Sequence, residues 1–143
     1  MPERLKILLV EDDFEHLQLT KYILEKNNVP GEVTVVRDGQ EAVDYLFRKN
    51  QFAESSLPSP NLVLLDLNIP RIDGKEVLRR MKQDSRLKDI PVVIVSSSNR
   101  QEDISFAKQA GASGYISKSG GFEKLSEALS TVHLFAASPV LSK

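Results

Sequence analysis

The chain has 143 residues, 41% of them apolar and 27% charged, with nineteen Lys and Arg against twenty Asp and Glu. That is one globular domain at roughly 150 residues per domain, and it is too apolar for a disordered chain. The near-neutral charge argues against nucleic-acid binding by counterion release, and the lack of Cys excludes disulfide scaffolds and thiolate metal sites. No apolar run approaches the ~20 residues of a membrane helix. The N-terminus leads directly into a strand-like segment without a signal-peptide pattern, so a cytoplasmic location is expected.

Leu5 to Val10 reads as a short buried strand, closed by Glu11-Asp12-Asp13. Phe14, Leu17, Ile23 and Leu24 follow at helical spacing. Glu32 to Val36 is the second strand; Asp38 with Glu41 then marks a helix start, and Ala42, Val43, Leu46 and Phe47 form one apolar stripe. Gln51 to Pro60 reads as a long loop. Asn61 to Leu65 is the third strand, ending in Asp66, and Asp73 with Glu76 repeats the helix-start spacing ahead of Val77, Leu78 and Met81. Pro91 opens the fourth strand, Val92 to Val95, which ends in Ser96. Asn99 with Glu102 offers a third helix start, Ile104, Ala107 and Ala110 face inward, and Gly111 suits the C-terminal cap. Tyr115 to Ser117 is a short fifth strand before Lys118, and the last helix carries Phe122, Leu125, Leu129 and Val132 on one face.

Five βα repeats predict an α/β fold, a parallel sheet with helices on both sides. In such sheets ligands bind outside the carboxyl ends of the strands. Four of the five strand ends deliver hydrophilic groups to that edge: Glu11-Asp12, Asp66, Ser96 and Lys118. Each alone has a plain structural reading as a cap or a solvated loop residue; their joint occurrence outlines a reaction site. The chemistry that fits is phosphoryl transfer onto a carboxylate, with Asp66 as the nucleophile. Carboxylates ~4 Å apart repel by roughly 4 kcal/mol per pair at an effective dielectric of 20. A divalent cation removes that penalty, and an all-oxygen site suits Mg2+. Lys118 can pair with one phosphoryl oxygen and the Ser96 hydroxyl can donate to another.

These residues resemble the receiver domain of bacterial two-component response regulators. The matching motifs are Leu8-Leu9-Val10-Glu11-Asp12, Leu64-Leu65-Asp66-Leu67-Asn68-Ile69-Pro70 with Asp73-Gly74, Pro91 to Ser97, and Ala110-Gly111-Ala112 leading to Gly114-Tyr115-Ile116-Ser117-Lys118. The resemblance runs from about Leu5 to Val132. It implies a flavodoxin-like, doubly wound five-stranded parallel sheet in strand order 2-1-3-4-5, and a phosphohistidine on a sensor histidine kinase as donor. By resemblance, Asp66 is the phosphoacceptor, Asp12 a direct metal ligand, Glu11 the acid that holds metal-bound water, and Asn68 the donor of a backbone carbonyl. Lys118 is the phosphate partner, Ser96 and Tyr115 are a switch pair, and Asn68 and Ser98 occupy positions that tune the phosphoryl lifetime. Such a protein catalyses only its own phosphorylation and dephosphorylation, and is no turnover enzyme.

Two features depart from the family pattern. Ser119 stands where proline usually follows the lysine, and a cis bond there would cost about 3 kcal/mol, so a trans peptide is expected. The spacing from Asp12 to Asp66 is also long, with the excess at Gln51 to Pro60. The Lys-Ser pair, the long loop and Leu-Leu-Asp-Leu-Asn resemble the small regulators that partner bacterial and cyanobacterial phytochromes, which implies a bacteriophytochrome as kinase. The reading is one receiver domain over 1–143, with its core at about 5–132 and a tail at 133–143, too short for an output domain. Output would then be a phosphorylation-dependent protein contact. Leu134, Phe135, Val140 and Leu141 make that tail apolar. It either folds back on its own domain or joins the fourth/fifth βα face in a homodimer.

A phosphatase of the haloacid dehalogenase type also uses an Asp nucleophile with Mg2+, but wants an acid where Asn68 stands. A flavin or nucleotide module needs a phosphate-cradling glycine loop where Glu11-Asp12-Asp13-Phe14 would repel phosphate. A receiver that is never phosphorylated, serving as a docking module, is the third alternative. His16 and His133 have no Cys or His partner at metal-ligand spacing and read as surface residues.

Overall fold

The computed structural model describes residues 5–54 and 59–137. Its strands are β1 (Lys6–Val10), β2 (Glu32–Val36), β3 (Leu62–Leu65), β4 (Val92–Ser96) and β5 (Gly114–Ser117), all parallel in the order β2-β1-β3-β4-β5. Side chains alternate across a strand, so successive residues enter different layers. Leu8, Val10, Val63, Leu65, Val92 and Ile94 pack on one face with Ala42, Val43 and Leu46 of α2 (Gly39–Phe47), Val77, Leu78 and Met81 of α3 (Gly74–Lys82), and Ala107 of α4 (Gln101–Ala110). Ile7, Leu9, Leu62, Leu64, Val93 and Val95 pack on the other, with Leu17, Ile23 and Leu24 of α1 (Phe14–Lys26) and Leu125 and Leu129 of α5 (Phe122–Leu129). Covering both faces explains why β1, β3 and β4 are continuously apolar rather than alternating. Among the described residues, no helix is long and apolar enough to cross a membrane.

The expected helix starts at Asp38 and Asp73 are present. The Asp38 side chain accepts from the Glu41 N–H and that of Asp73 from the Glu76 N–H. Gly111 ends α4 in the left-handed region at φ 101°. The third start differs: α4 begins at Gln101 behind Arg100, with no side-chain cap from Asn99. Ser98 anchors this turn instead, accepting from the Arg100 N–H at 3.3 Å and donating to Asp103 Oδ2 at 2.5 Å. Phe14 and Phe122 are also displaced from the expected apolar stripes, at 60% and 44% exposure. Each is the first residue of its helix, Phe14 of α1 and Phe122 of α5. Lys26 places its ammonium 5.6 Å from the Phe122 ring centroid.

At the start of the expected long loop and one residue ahead of it, Asn50–Phe52 forms a 3-10 turn whose Phe52 ring meets Tyr45 edge-on at 5.0 Å. In the tail, α6 (His133–Ala137) brings Phe135 back onto the α1/α5 core, while Leu134 is exposed. Val140 and Leu141 lie outside the described residues.

The β3–α3 connection is held tightly beneath the site. The Gly74 N–H donates to the Leu67 carbonyl at 3.0 Å, and a Cβ at Gly74 would stand 2.4 Å from the Asp66 carbonyl oxygen and 2.5 Å from Leu67 Cα. Gly74→Ala therefore forces the Asp66 backbone to shift. It should lower the urea midpoint at unchanged slope, by about 1–3 kcal/mol of stability.

Candidate functional site

The sheet's hydrogen-bond ladder continues one residue past the strands. The Glu11 N–H donates to the Val36 carbonyl at 3.1 Å and the Asp66 N–H to the Val10 carbonyl at 3.2 Å. Both acids are thereby fixed at the same edge by the neighbouring strand. Glu11, Asp12 and Asp66 each offer a carboxylate oxygen within 4.8 Å of the others; Glu11 and Asp66 are buried, Asp12 exposed. Lys118, leaving β5 in register with β4, reaches across two strands. Its Nζ donates to Glu11 Oε1 at 2.6 Å and to Asp66 Oδ2 at 2.9 Å, with only 7% of the side chain exposed.

Burial pushes the Glu11 carboxyl above the usual range; the Lys118 hydrogen bond and charge pull it back only in part, and the Asp66 charge adds to the rise. Burial also opposes the Lys118 charge, but its bonds to Glu11 and Asp66 outweigh this and raise its pKa. The lysine is thus a fixed ammonium serving two carboxylates, with the third carboxylate beside them. An all-oxygen cluster with unbalanced negative charge fits a hard divalent cation.

Of the remaining predicted residues, Asn68 contacts this centre directly, whereas the hydrogen bonds of Ser96 and Tyr115 run to the β4–α4 loop. The Asn68 N–H donates to Asp66 Oδ1 at 2.9 Å, wrapping the β3–α3 turn around the carboxylate. Ser96 is fully buried at the end of β4, and its hydroxyl accepts from the Ser98 N–H at 3.2 Å. Tyr115 bonds to the β4–α4 loop, its hydroxyl donating to the Ser98 carbonyl at 2.9 Å. Asp103, buried, joins this loop to α3 through Lys75 at 2.7 Å. The Lys118–Ser119 peptide is trans, as Ser119 in place of proline predicts.

Two residues escaped the sequence reading. His16, read as a surface residue, places Nδ1 3.1 Å from Lys118 Nζ and 4.0 Å from Glu11 Oε2. The available signal was its position one helical turn after Asp12, at the start of the helix that follows the acids. Arg37 donates to the backbone carbonyl of Asp12 at 3.0 Å. His133, also read as a surface residue, is half-buried at the start of α6.

A parallel sheet in this order, with acids at the ends of β1 and β3 and a lysine after β5, defines a receiver. The chain belongs to the response regulator receiver family: the sequence profile of the response regulator receiver domain matches residues 7–130. Response regulator Rcp1 of Synechocystis sp. is 35% identical over 129 residues, covering 90% of this chain and 86% of that protein. The crystal structure of the phosphorylated cyanobacterial phytochrome response regulator RcpA matches with a TM-score of 0.84 at 39% identity, covering 96% of each chain. The Mn2+-bound form of Rcp1 matches with a TM-score of 0.83 at 34% identity, covering 92% of this chain and 93% of that one. The protein is a response regulator receiver similar to the phytochrome response regulators, a signalling module with a phosphoacceptor role in two-component signalling.

Removing the ammonium leaves two buried acids facing each other. Lys118→Met should cost roughly 3–5 kcal/mol at neutral pH. The deficit should shrink in urea titrations as pH falls and Glu11, whose pKa burial already raises, protonates, and again when Mg2+ is added. Asp103 gives a second, opposite pH signature. Hydrogen bonds from Lys75 and then Ser98 hold its pKa below the ordinary value. Its stabilisation is therefore present above the ordinary carboxylate range and is lost as pH falls through the lower folded value. Asp103→Asn should flatten that acid limb in urea midpoints measured against pH.

Proposed function

We propose that Asp66 accepts the phosphoryl group, that the donor is a phosphohistidine on a sensor histidine kinase, and that this kinase is a phytochrome. The observation that carries the reading is the single Lys118 ammonium bridging Asp66 and Glu11 beside Asp12. Asp66 Oδ2 attacks phosphorus, a P–O bond forms as the P–N bond breaks, and the electron pair leaves on the imidazole nitrogen. Asp12 and Asp66 would hold Mg2+ with the Asn68 backbone carbonyl and, through water, Glu11. When bound, the ion supplies positive charge against the acids and the transferring group. The Mn2+-bound form of Rcp1 supports a divalent cation here.

Lys118 hands one N–H from Asp66 to a phosphoryl oxygen. The Ser96 hydroxyl, which only accepts from Ser98, keeps its own proton to donate to another oxygen. Moving Ser96 shifts the β4–α4 loop that carries the Tyr115 bond, so the Tyr115 ring follows. The output surface is the α4–β5 face. There Ile104, Ala107, Ala112, Gly114 and Tyr115 line an apolar hollow of about 130 Å3, open to a partner or to a second copy through this face and the tail. The chain works as one cytoplasmic receiver domain over 1–143 that catalyses only its own phosphorylation and dephosphorylation.

Incubation with acetyl phosphate and Mg2+, followed by mass-spectrometric mapping, tests the assignment. One phosphoryl group on Asp66 is expected, absent in Asp66→Asn and after chelation of Mg2+, with the fold retained in both. Phosphate on another residue, or uptake that ignores Mg2+, refutes it.

A further inference from the structure

The Lys118 ammonium has three N–H donors, and all three are engaged: Glu11 Oε1 at 2.6 Å, Asp66 Oδ2 at 2.9 Å and His16 Nδ1 at 3.1 Å. An ammonium has no lone pair, so the imidazole nitrogen must be the acceptor. Nδ1 therefore faces the ammonium with its lone pair, and the ring N–H of this tautomer sits on Nε2. Its backbone is fixed as well, since the His16 N–H donates to Asp13 Oδ1 at 3.0 Å in the N-cap of α1. The same cap that starts the helix after the acidic pair thus aims the ring at the lysine.

The two carboxylates come from neighbouring strands and lie in the acidic hollow; the imidazole approaches from α1. Lysine carries its charge on a flexible four-carbon stem, and two acceptors leave the ammonium free to turn about the line between them. A third acceptor from a different element removes that freedom. We infer that His16 is a positioning residue for Lys118, its Nδ1 holding the ammonium in the rotation from which one N–H can pass to a phosphoryl oxygen. This rests on the reading of Asp66 as phosphoacceptor. Once that N–H has passed from Asp66 to the phosphoryl group, the bonds to Glu11 and His16 remain and keep the nitrogen in place.

The His16 side chain is 43% exposed, so its replacement leaves the core intact. His16→Leu removes the acceptor, and His16→Asn restores one at short reach. Phosphorylation by acetyl phosphate with Mg2+ is followed as a function of donor concentration, and the His16 ring nitrogens of the wild-type protein are read by 15N NMR. The Leu variant should lose about tenfold in limiting rate, the worth of one charge-assisted hydrogen bond. The Asn variant should stay close to wild type, and Nε2 should carry the ring proton. A Leu variant as fast as wild type, an Asn variant as slow as Leu, or a proton on Nδ1 overturns the inference. If wild-type protein takes up no phosphoryl group on Asp66, the parent reading falls and this one with it. If it does take one up and the Leu variant is unaffected, only the role of His16 falls.

Discussion

One ammonium between two buried carboxylates organises this molecule. Lys118 meets Glu11 from β1 and Asp66 from β3, so three separate segments share one charge cluster with almost no water access. Buried ion pairs are weak sources of stability, because desolvation offsets most of the attraction and apolar replacements often do as well. An arrangement with two carboxylates for one buried cation, and a third acid at its rim, is worse than balanced. Its explanation lies in chemistry: the excess negative charge suits a divalent cation, and the lysine is a donor already placed beside Asp66.

The parallel sheet makes such a cluster accessible to a short chain. Parallel strands all end at the same edge, and register sets how far each side chain stands out from it. Val10 is paired with both Val36 and Leu65, so the residues that follow, Glu11 and Asp66, emerge at one level. Backbone bonds from their N–H groups to the adjacent strands extend this order one residue further. The carboxylates are positioned by the sheet itself, and only the connecting turns need special residues. Gly74 is such a residue, lying against the Asp66 carbonyl where a side chain has no room.

This also explains which features could be read from the sequence. Strand ends, the Asp38 and Asp73 caps and the meeting of Glu11, Asp12, Asp66 and Lys118 follow from local chemistry and from the rule that parallel strands share an edge. The strand order needed the family resemblance, because βα repeats alone leave several topologies open. Asn99 had the right spacing for a cap, yet Ser98 took the turn because its hydroxyl reaches Asp103, a tertiary arrangement that no dipeptide pattern records. Phe14 and Phe122 satisfied helical periodicity, but periodicity gives direction around a helix and says nothing of where the apolar layer stops along it. His16 was missed for a related reason. Its partner lies 102 positions away, and a position one turn after the acidic pair points to the site without naming the lysine that arrives after the last strand.

The β4–α4 loop leaves the same edge of the parallel sheet as the charge cluster. Ser96 at its start is buried at the end of β4, and Ser98 two residues later joins two elements directly and a third through Asp103. Its carbonyl accepts from the Tyr115 hydroxyl of β5, its hydroxyl donates to Asp103 of α4, and Asp103 in turn pairs with Lys75 of α3. A displacement of Ser96 toward Asp66 therefore cannot stay local, because the Ser98 N–H is bonded to the Ser96 hydroxyl and travels with it. Either the Tyr115 and Asp103 bonds follow the loop, or they break and new partners form. Both outcomes alter the face made by α4 and β5, where Tyr115 borders the apolar hollow. Coupling of this kind needs no rigid lever across the domain, only a loop whose few hydrogen bonds start at Ser96 on the polar sheet edge and end on the α4–β5 surface.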